Sequence, residues 1–160
     1  MKVTAFTDIP LKKETESLKT RQITKIKTQR GKKPKISITY EIPPDDNRSE
    51  SLTTTITSEE EATSEFYELL DELLPILIET IGLDETLWLD AQVIGLSVKR
   101  EKQGTGINIT GTREINSAYP CPTSPYVIAK EETQDLITEI QTEALKYVDG
   151  KRRQQSLFDQ

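Results

Sequence analysis

Two groups of side chains in this sequence have types and spacing suited to chemistry, and both suit holding a ligand more than making bonds. Lys25, Lys27, Arg30, Lys32, Lys33 and Lys35 cluster around a Gly31–Pro34 turn. Lys25 and Lys27 are two apart, so on a strand they point to one side. A two-stranded ribbon carrying such a cluster can track a phosphate backbone and release its condensed counterions. Tyr40 is the one aromatic interleaved with these cations, which leaves base stacking with little support. The same lysines would equally serve to keep a sheet edge from pairing with other chains. The second group is Gln154, Ser156, Leu157 and Phe158, an apolar pair in a polar tail. Apolar side chains in such a place usually await a pocket on another molecule.

Bond-making chemistry is poorly supplied. The chain has no histidine, which removes the commonest general base and transition-metal ligand at neutral pH. Cys121 is the only cysteine, so no internal disulfide exists, and no imidazole is present to activate the thiol. Gly104-Thr105-Gly106 is too short for a dinucleotide fingerprint and reads as a hairpin turn. Asp45-Asp46 suits a turn, Glu59-Glu60-Glu61 suits a helix start, and neither has the spacing of a calcium loop. The expectation is a non-enzymatic protein without metal or cofactor. A carboxylate-and-magnesium hydrolase is the least favoured alternative.

The elements that must carry these groups follow from periodicity. Ile36, Ile38, Tyr40 and Ile42 alternate with Ser37, Thr39 and Glu41, the pattern of a half-buried strand. Ile23 to Thr28 reads as its hairpin partner, and Leu52, Thr54 and Ile56 as a third strand. Val3 to Phe6 suggests a short strand before a polar arm. Ser58 with Glu61 fits a capping box opening a helix whose apolar face is Phe66, Leu69, Leu70, Leu73, Leu77 and Ile81. Pro75 should kink or split that helix and Gly82 should end it. Ile94, Leu96 and Val98 alternate in a further strand, and Ile107 and Ile109 continue on its partner to about Ile115. Tyr119 to Tyr126 is a proline-rich loop or edge segment. A last helix over about 131–148 buries Leu136, Ile137, Ile140, Ala144, Leu145 and Val148. Amphipathic strands covered by two amphipathic helices make an α+β fold, an antiparallel sheet of about five strands. Residues 1–21 are read as an N-terminal strand and polar arm, 22–150 as the α+β domain, and 151–160 as a flexible tail.

Charge is unevenly spread. The chain of 160 residues has a net charge of −6, yet residues 1–35 hold eleven Lys/Arg against three Asp/Glu. Residues 36–100 hold three against fifteen. The basic end can meet phosphate and the acidic middle would avoid it. The apolar fraction is 34%, low for a compact fold, and no apolar run approaches the length needed to cross a bilayer. The N-terminal residues lack the apolar stretch of a signal peptide, so the expectation is a cytoplasmic protein with no membrane partner.

Gln154-Gln155-Ser156-Leu157-Phe158 resembles the short peptide by which bacterial replication and repair proteins dock on the sliding clamp. Gln155 stands where that peptide usually has leucine. The resemblance implies that Gln154 reaches a polar subsite and that Leu157 and Phe158 fill an apolar pocket. The tail is also loosely similar to the Phe-ending tips of bacterial single-strand binding proteins, although Lys151-Arg152-Arg153 departs from their acidic pattern. A wider likeness rests on Glu65-Phe66-Tyr67-Glu68-Leu69-Leu70, Ile107-Asn108-Ile109-Thr110-Gly111 and Tyr147-Val148-Asp149-Gly150-Lys151-Arg152. It resembles a family of small phage and prophage accessory proteins, which implies action in a bacterial host's cytoplasm and supplies no site.

The leading expectation is therefore a phage accessory protein of DNA metabolism, with the basic hairpin on nucleic acid and the tail on a host sliding clamp. The alternative is a counter-defence protein that sequesters a nucleotide immune signal or blocks a host immune protein, with Tyr40, Tyr119, Tyr126 or Trp88 against an aromatic ligand. Self-association through Tyr119–Tyr126 is compatible with both. Clamp capture from a bacterial lysate by the full chain is expected to be lost on Phe158→Ala. Equal capture by a tail-deleted protein contradicts the docking reading.

Overall fold

Each long alternating segment forms a strand, and most of the apolar members of the alternations face a single layer of helices. The computed structural model describes residues 21–152. The expected strand at Val3–Phe6 and the tail residues Gln154, Ser156, Leu157 and Phe158 lie outside the described residues. The strands are β1 (Gln22–Gln29), β2 (Lys35–Ile42), β3 (Leu52–Ser58), β4 (Gln92–Glu101), β5 (Gly104–Thr112) and β6 (Val127–Ile128). The helices are α1 (Ser64–Asp71), α2 (Leu74–Ile81), α3 (Glu85–Trp88) and α4 (Glu131–Val148). The strands form one antiparallel sheet of six in the order β3-β2-β1-β4-β5-β6. The α+β class is as expected. The sixth strand is only two residues long, too short to show any alternation.

All the longer helices pack on one side of this sheet, α1 against β4 and α4, α2 against β5, and α4 against β1. Ile26, Ile36, Ile38, Leu96, Ile107 and Ile109 supply the sheet's half of the core, each at most 2% exposed. Phe66, Leu70, Leu73, Leu77, Ile140 and Tyr147 supply the helices' half. Burying a side chain of this kind contributes about 1.5–3 kcal/mol. Tyr147, on α4, also donates its hydroxyl proton to the Glu60 carbonyl, so the polar tip is satisfied inside the core.

One detail of the helices corrects the sequence reading, and two agree with it. The N-cap of α1 is Thr63, whose hydroxyl accepts from the Phe66 amide, and Ser58 instead accepts from the Glu60 amide in a local turn. The hydroxyl five residues nearer the apolar run wins, because the chain between is still leaving β3. Pro75 does split the helix, and it sits in the first turn of α2, where its missing N–H is harmless. Gly82 ends α2 in the left-handed region at φ 68°. The short α3, capped by Asp84, has too few residues to show a helical period. The β4–β5 turn spans Lys102 and Gln103, so Gly104-Thr105-Gly106 belongs to β5 and not to the turn.

Registers break twice, and both breaks serve the core. Ile23 and Ile26 are three apart but both buried, because β1 bulges between Ile23 and Lys25. Val93 and Leu96 repeat this in β4, with its break between Val93 and Gly95. Beside the first bulge, the Ile23 carbonyl accepts from the buried Gln141 amide of α4 at 2.9 Å.

Arg30 ties the hairpin to the helical layer. Its guanidinium forms a two-pronged ion pair with Asp71 at 2.8 and 2.9 Å and donates to the Val93 carbonyl at 3.0 Å. It also lies over the Tyr67 ring, 4.6 Å from the centroid. Asp71 in turn accepts from the Val93 amide. Asp71→Ala leaves the partly buried guanidinium without its counter-charge and the Val93 amide without its acceptor, so it is expected to destabilise the fold by about 2–4 kcal/mol. Urea denaturation measures this, and a loss below about 0.5 kcal/mol would show that the clamp contributes little.

Candidate functional site

The side of the sheet away from the helices is left uncovered by the described residues, and the lysines of β1 rise from its middle. Because β1 alternates after its bulge, Ile26 and Thr28 turn to the helices while Lys25 and Lys27 turn the other way. β1 is hydrogen-bonded to β2 on one side and β4 on the other, so it is an interior strand. That removes sheet-edge protection as the reason for its lysines.

Register places two polar rows across this face. Thr57, Ser37, Lys27, Gly95 and Thr110 are neighbours in the first. Thr55, Thr39, Lys25, Ser97 and Asn108 are neighbours in the second. Neither row contains a carboxylate. Their hydroxyls are paired across strands, Thr39 with Thr55 at 2.8 Å and Thr110 with Thr123 at 2.9 Å. Asn108 donates its amide to the Ser124 carbonyl at 3.1 Å. Among the described residues, Lys25, Lys27 and Lys35 have no ion-pair partner.

Small residues open a trough beside the lysines. Gly95 has no side chain to fill the space between Lys27 and Thr110, and the bulge turns Ile94 to its rim. The resulting depression is about 470 Å³ and is lined by Lys25, Lys27, Ser97, Asn108, Thr110 and Thr123, among others. A second depression of about 340 Å³ continues it past Lys27 to Lys35, Ser37 and Thr57. Ammonium groups, hydroxyls and a side-chain amide are all donors to phosphate oxygens.

The six cations of the hairpin thus divide. Lys25, Lys27 and Lys35 share the uncovered face. Lys32 and Lys33 stand exposed at the turn, with Lys32 facing Glu59, Glu60 and Glu61 across a separate polar cleft that Arg152 also lines. Arg30 does not join them, since the alternation carries it to the helix side and into the Asp71 clamp. Tyr40 is likewise on the helix side, half-buried against the core with the Arg21 guanidinium 5.9 Å from its ring centroid. It is therefore no stacking surface for a ligand held by the lysines.

An aromatic that local sequence does not link to the lysines lies on the uncovered face instead. Residues beyond β5 fold back along it, with the Ser124 amide donating to the Ile109 carbonyl and the Gly111 amide to the Pro122 carbonyl. This return lays Tyr126 on Gly106, at the β6 end of the same face. The one sequence signal for it is Gly106 itself, a glycine at a strand position pointing away from the core. Cys121, on the same return, is exposed, with Thr112 Oγ1 and the Tyr119 carbonyl beside its sulfur. Asp45 accepts from the Asn47 amide in a tight turn, and Asp84 caps α3, where bonds from Thr86 hold its carboxyl below the usual range.

No family model matches the chain, and neither curated proteins nor solved structures give a match. No helix among the described residues is long and apolar enough to cross a membrane.

The Tyr126 phenol is pushed above its ordinary range, first by loss of water where the ring rests on the sheet and then by its bond to the Glu101 carboxylate. The folded state therefore favours the neutral phenol. The stability this adds is present below the usual value of about 10 and is lost as pH rises through the raised one. The alkaline absorbance difference between wild type and Tyr126→Phe is expected to centre above pH 10. A midpoint below it contradicts the contact.

Proposed function

We propose that this protein is a non-enzymatic binding protein that holds nucleic acid across the uncovered face of its sheet. The observation that carries the reading is the placement of Lys25 and Lys27 on an interior strand, without ion-pair partners among the described residues, inside two rows of hydroxyl and amide groups. Interior strands rarely carry lysines for edge protection, and a solvated face has no need of a donor-lined trough. Phosphates laid along β1 would meet Lys25, Lys27 and then Lys35, with the hydroxyls fixing their position. The acidic residues of α1 lie on the helix layer, behind the sheet, and so would turn this face toward a polyanion. The sequence resemblances are compatible with action in the cytoplasm of a phage-infected bacterium, where Leu157 and Phe158 would dock a replication partner such as the sliding clamp.

A second reading is favoured by the trough alone. Its volume of about 470 Å³ suits a mononucleotide or cyclic nucleotide, which fits sequestration of a nucleotide signal. A thermal-shift screen with such compounds separates the two. Mass action gives about 2.7 kcal/mol of added stability at a hundredfold excess over Kd.

Fluorescence anisotropy with labelled oligonucleotides over a salt series tests the main reading. The logarithm of affinity is expected to fall with that of salt, the slope becoming shallower by about 0.7 for each of Lys25→Ala and Lys27→Ala. Lys102→Ala, in the β4–β5 turn, is expected to bind as wild type. Absence of binding by wild type, or unaltered slopes in both lysine variants, removes this function.

A further inference from the structure

We propose that the nucleic acid held on this face is single-stranded, and that one of its bases stacks on Tyr126 while its phosphates lie on Lys25 and Lys27. This rests on the proposed function and narrows it to one class of ligand. The ring sits directly on backbone: a Cβ at Gly106 would lie 1.9 Å from the Tyr126 Cζ and hydroxyl oxygen. Only glycine allows that approach, and the ring is still 42% exposed. Ile128, paired with Gly106, is also 42% exposed, so the β6 end of the face is a small apolar shelf beside the polar rows.

The shelf has the arrangement a flexible strand needs. β1 and β5 are separated only by β4, about 10 Å across the sheet, and Gly106 lies further along β5, two residues from Asn108 in the row of Lys25 and four from Thr110 in the row of Lys27. The ring rests on the Gly106 backbone, with Glu101 near its hydroxyl. That carboxylate is itself paired with Lys99 at 3.5 Å, which limits its repulsion of a nearby phosphate. Glu41, in line with Thr53 at the opposite margin, lies beyond the lysine rows. A duplex keeps its base faces stacked inside and would leave Tyr126 and Ile128 against a sugar-phosphate edge. An unpaired strand can lay a base on the ring and turn its phosphates toward the ammonium groups. The stacking is tolerant of sequence because every base has a π-face.

The test uses the full chain and labelled oligothymidylate, oligouridylate and a duplex, each of about twelve nucleotides or base pairs, in anisotropy titrations. Unpaired strands are expected to bind at least tenfold more tightly than the duplex. Tyr126→Ala is expected to weaken strand binding about tenfold without changing the salt slope, and Tyr126→Phe to stay within about twofold of wild type. Gly106→Ala keeps the tyrosine but lifts its ring, and should weaken strand binding in the same direction, with its melting temperature checked alongside. The DNA and RNA arms show which sugar is preferred. Duplex preference overturns the inference. So does a Tyr126→Ala protein that binds as wild type while the lysine variants do not, and that result leaves the proposed function standing. No binding of any oligonucleotide by wild type removes both.

Discussion

The structure depends on one constraint: a strand with only one side in the core must put its other side somewhere, and β1 has neighbours along both edges. Ile23 and Ile26 are fully buried against the helices, and the bulge between them absorbs the residue that would break the alternation. A one-residue slip of β1 would drive Lys25 and Lys27 into the core and Ile26 out of it. Such a slip would strand ammonium groups among apolar side chains, at a cost of several kcal/mol each. The lysines are therefore held on the uncovered face by the packing of their neighbours.

The contacts that secure this arrangement all lie on the covered side. Arg30 joins the hairpin to α1 and β4 through Asp71 and Val93, and Gln141 joins α4 to β1 through Ile23. Tyr147 closes the end of the core by reaching Glu60, with the Arg152 guanidinium 3.6 Å from its ring centroid. The uncovered side, by comparison, carries cross-strand hydroxyl pairs and lysines with no ion-pair partner among the described residues. The contacts that secure the fold and the proposed ligand contacts thus fall on opposite sides of one sheet. Changes on the uncovered face are expected to perturb the core little.

The net charge of −6 conceals this division. Acidic residues crowd the helix layer and the β3–α1 connection, at Glu59, Glu60, Glu61, Glu65 and Glu68. The central rows of the uncovered face carry only positive charge. A polyanion approaching such a molecule is repelled from one side and admitted on the other, which orients the encounter before contact is made. The overall charge would disfavour phosphate ligands, whereas the local arrangement of the lysines would favour them.

The sequence by itself determined which residues of each strand oppose one another. From alternation alone, Lys25 and Lys27 share a side, Ile36 and Ile38 share a side, and the apolar stripes of α1, α2 and α4 seek a sheet. Those are local properties with a period of two or about 3.6, so a single segment encodes them. Tertiary structure decided the rest. It made β1 an interior strand, withdrew Arg30 to Asp71 and Tyr40 to the core, and laid Tyr126 on Gly106 beside the lysines. Arg30 and Asp71 are 41 residues apart, and their pairing follows only once α1 is docked on the sheet. Long-range pairings of this kind leave no periodic trace, because the partner is chosen by which surfaces meet and not by spacing along the chain.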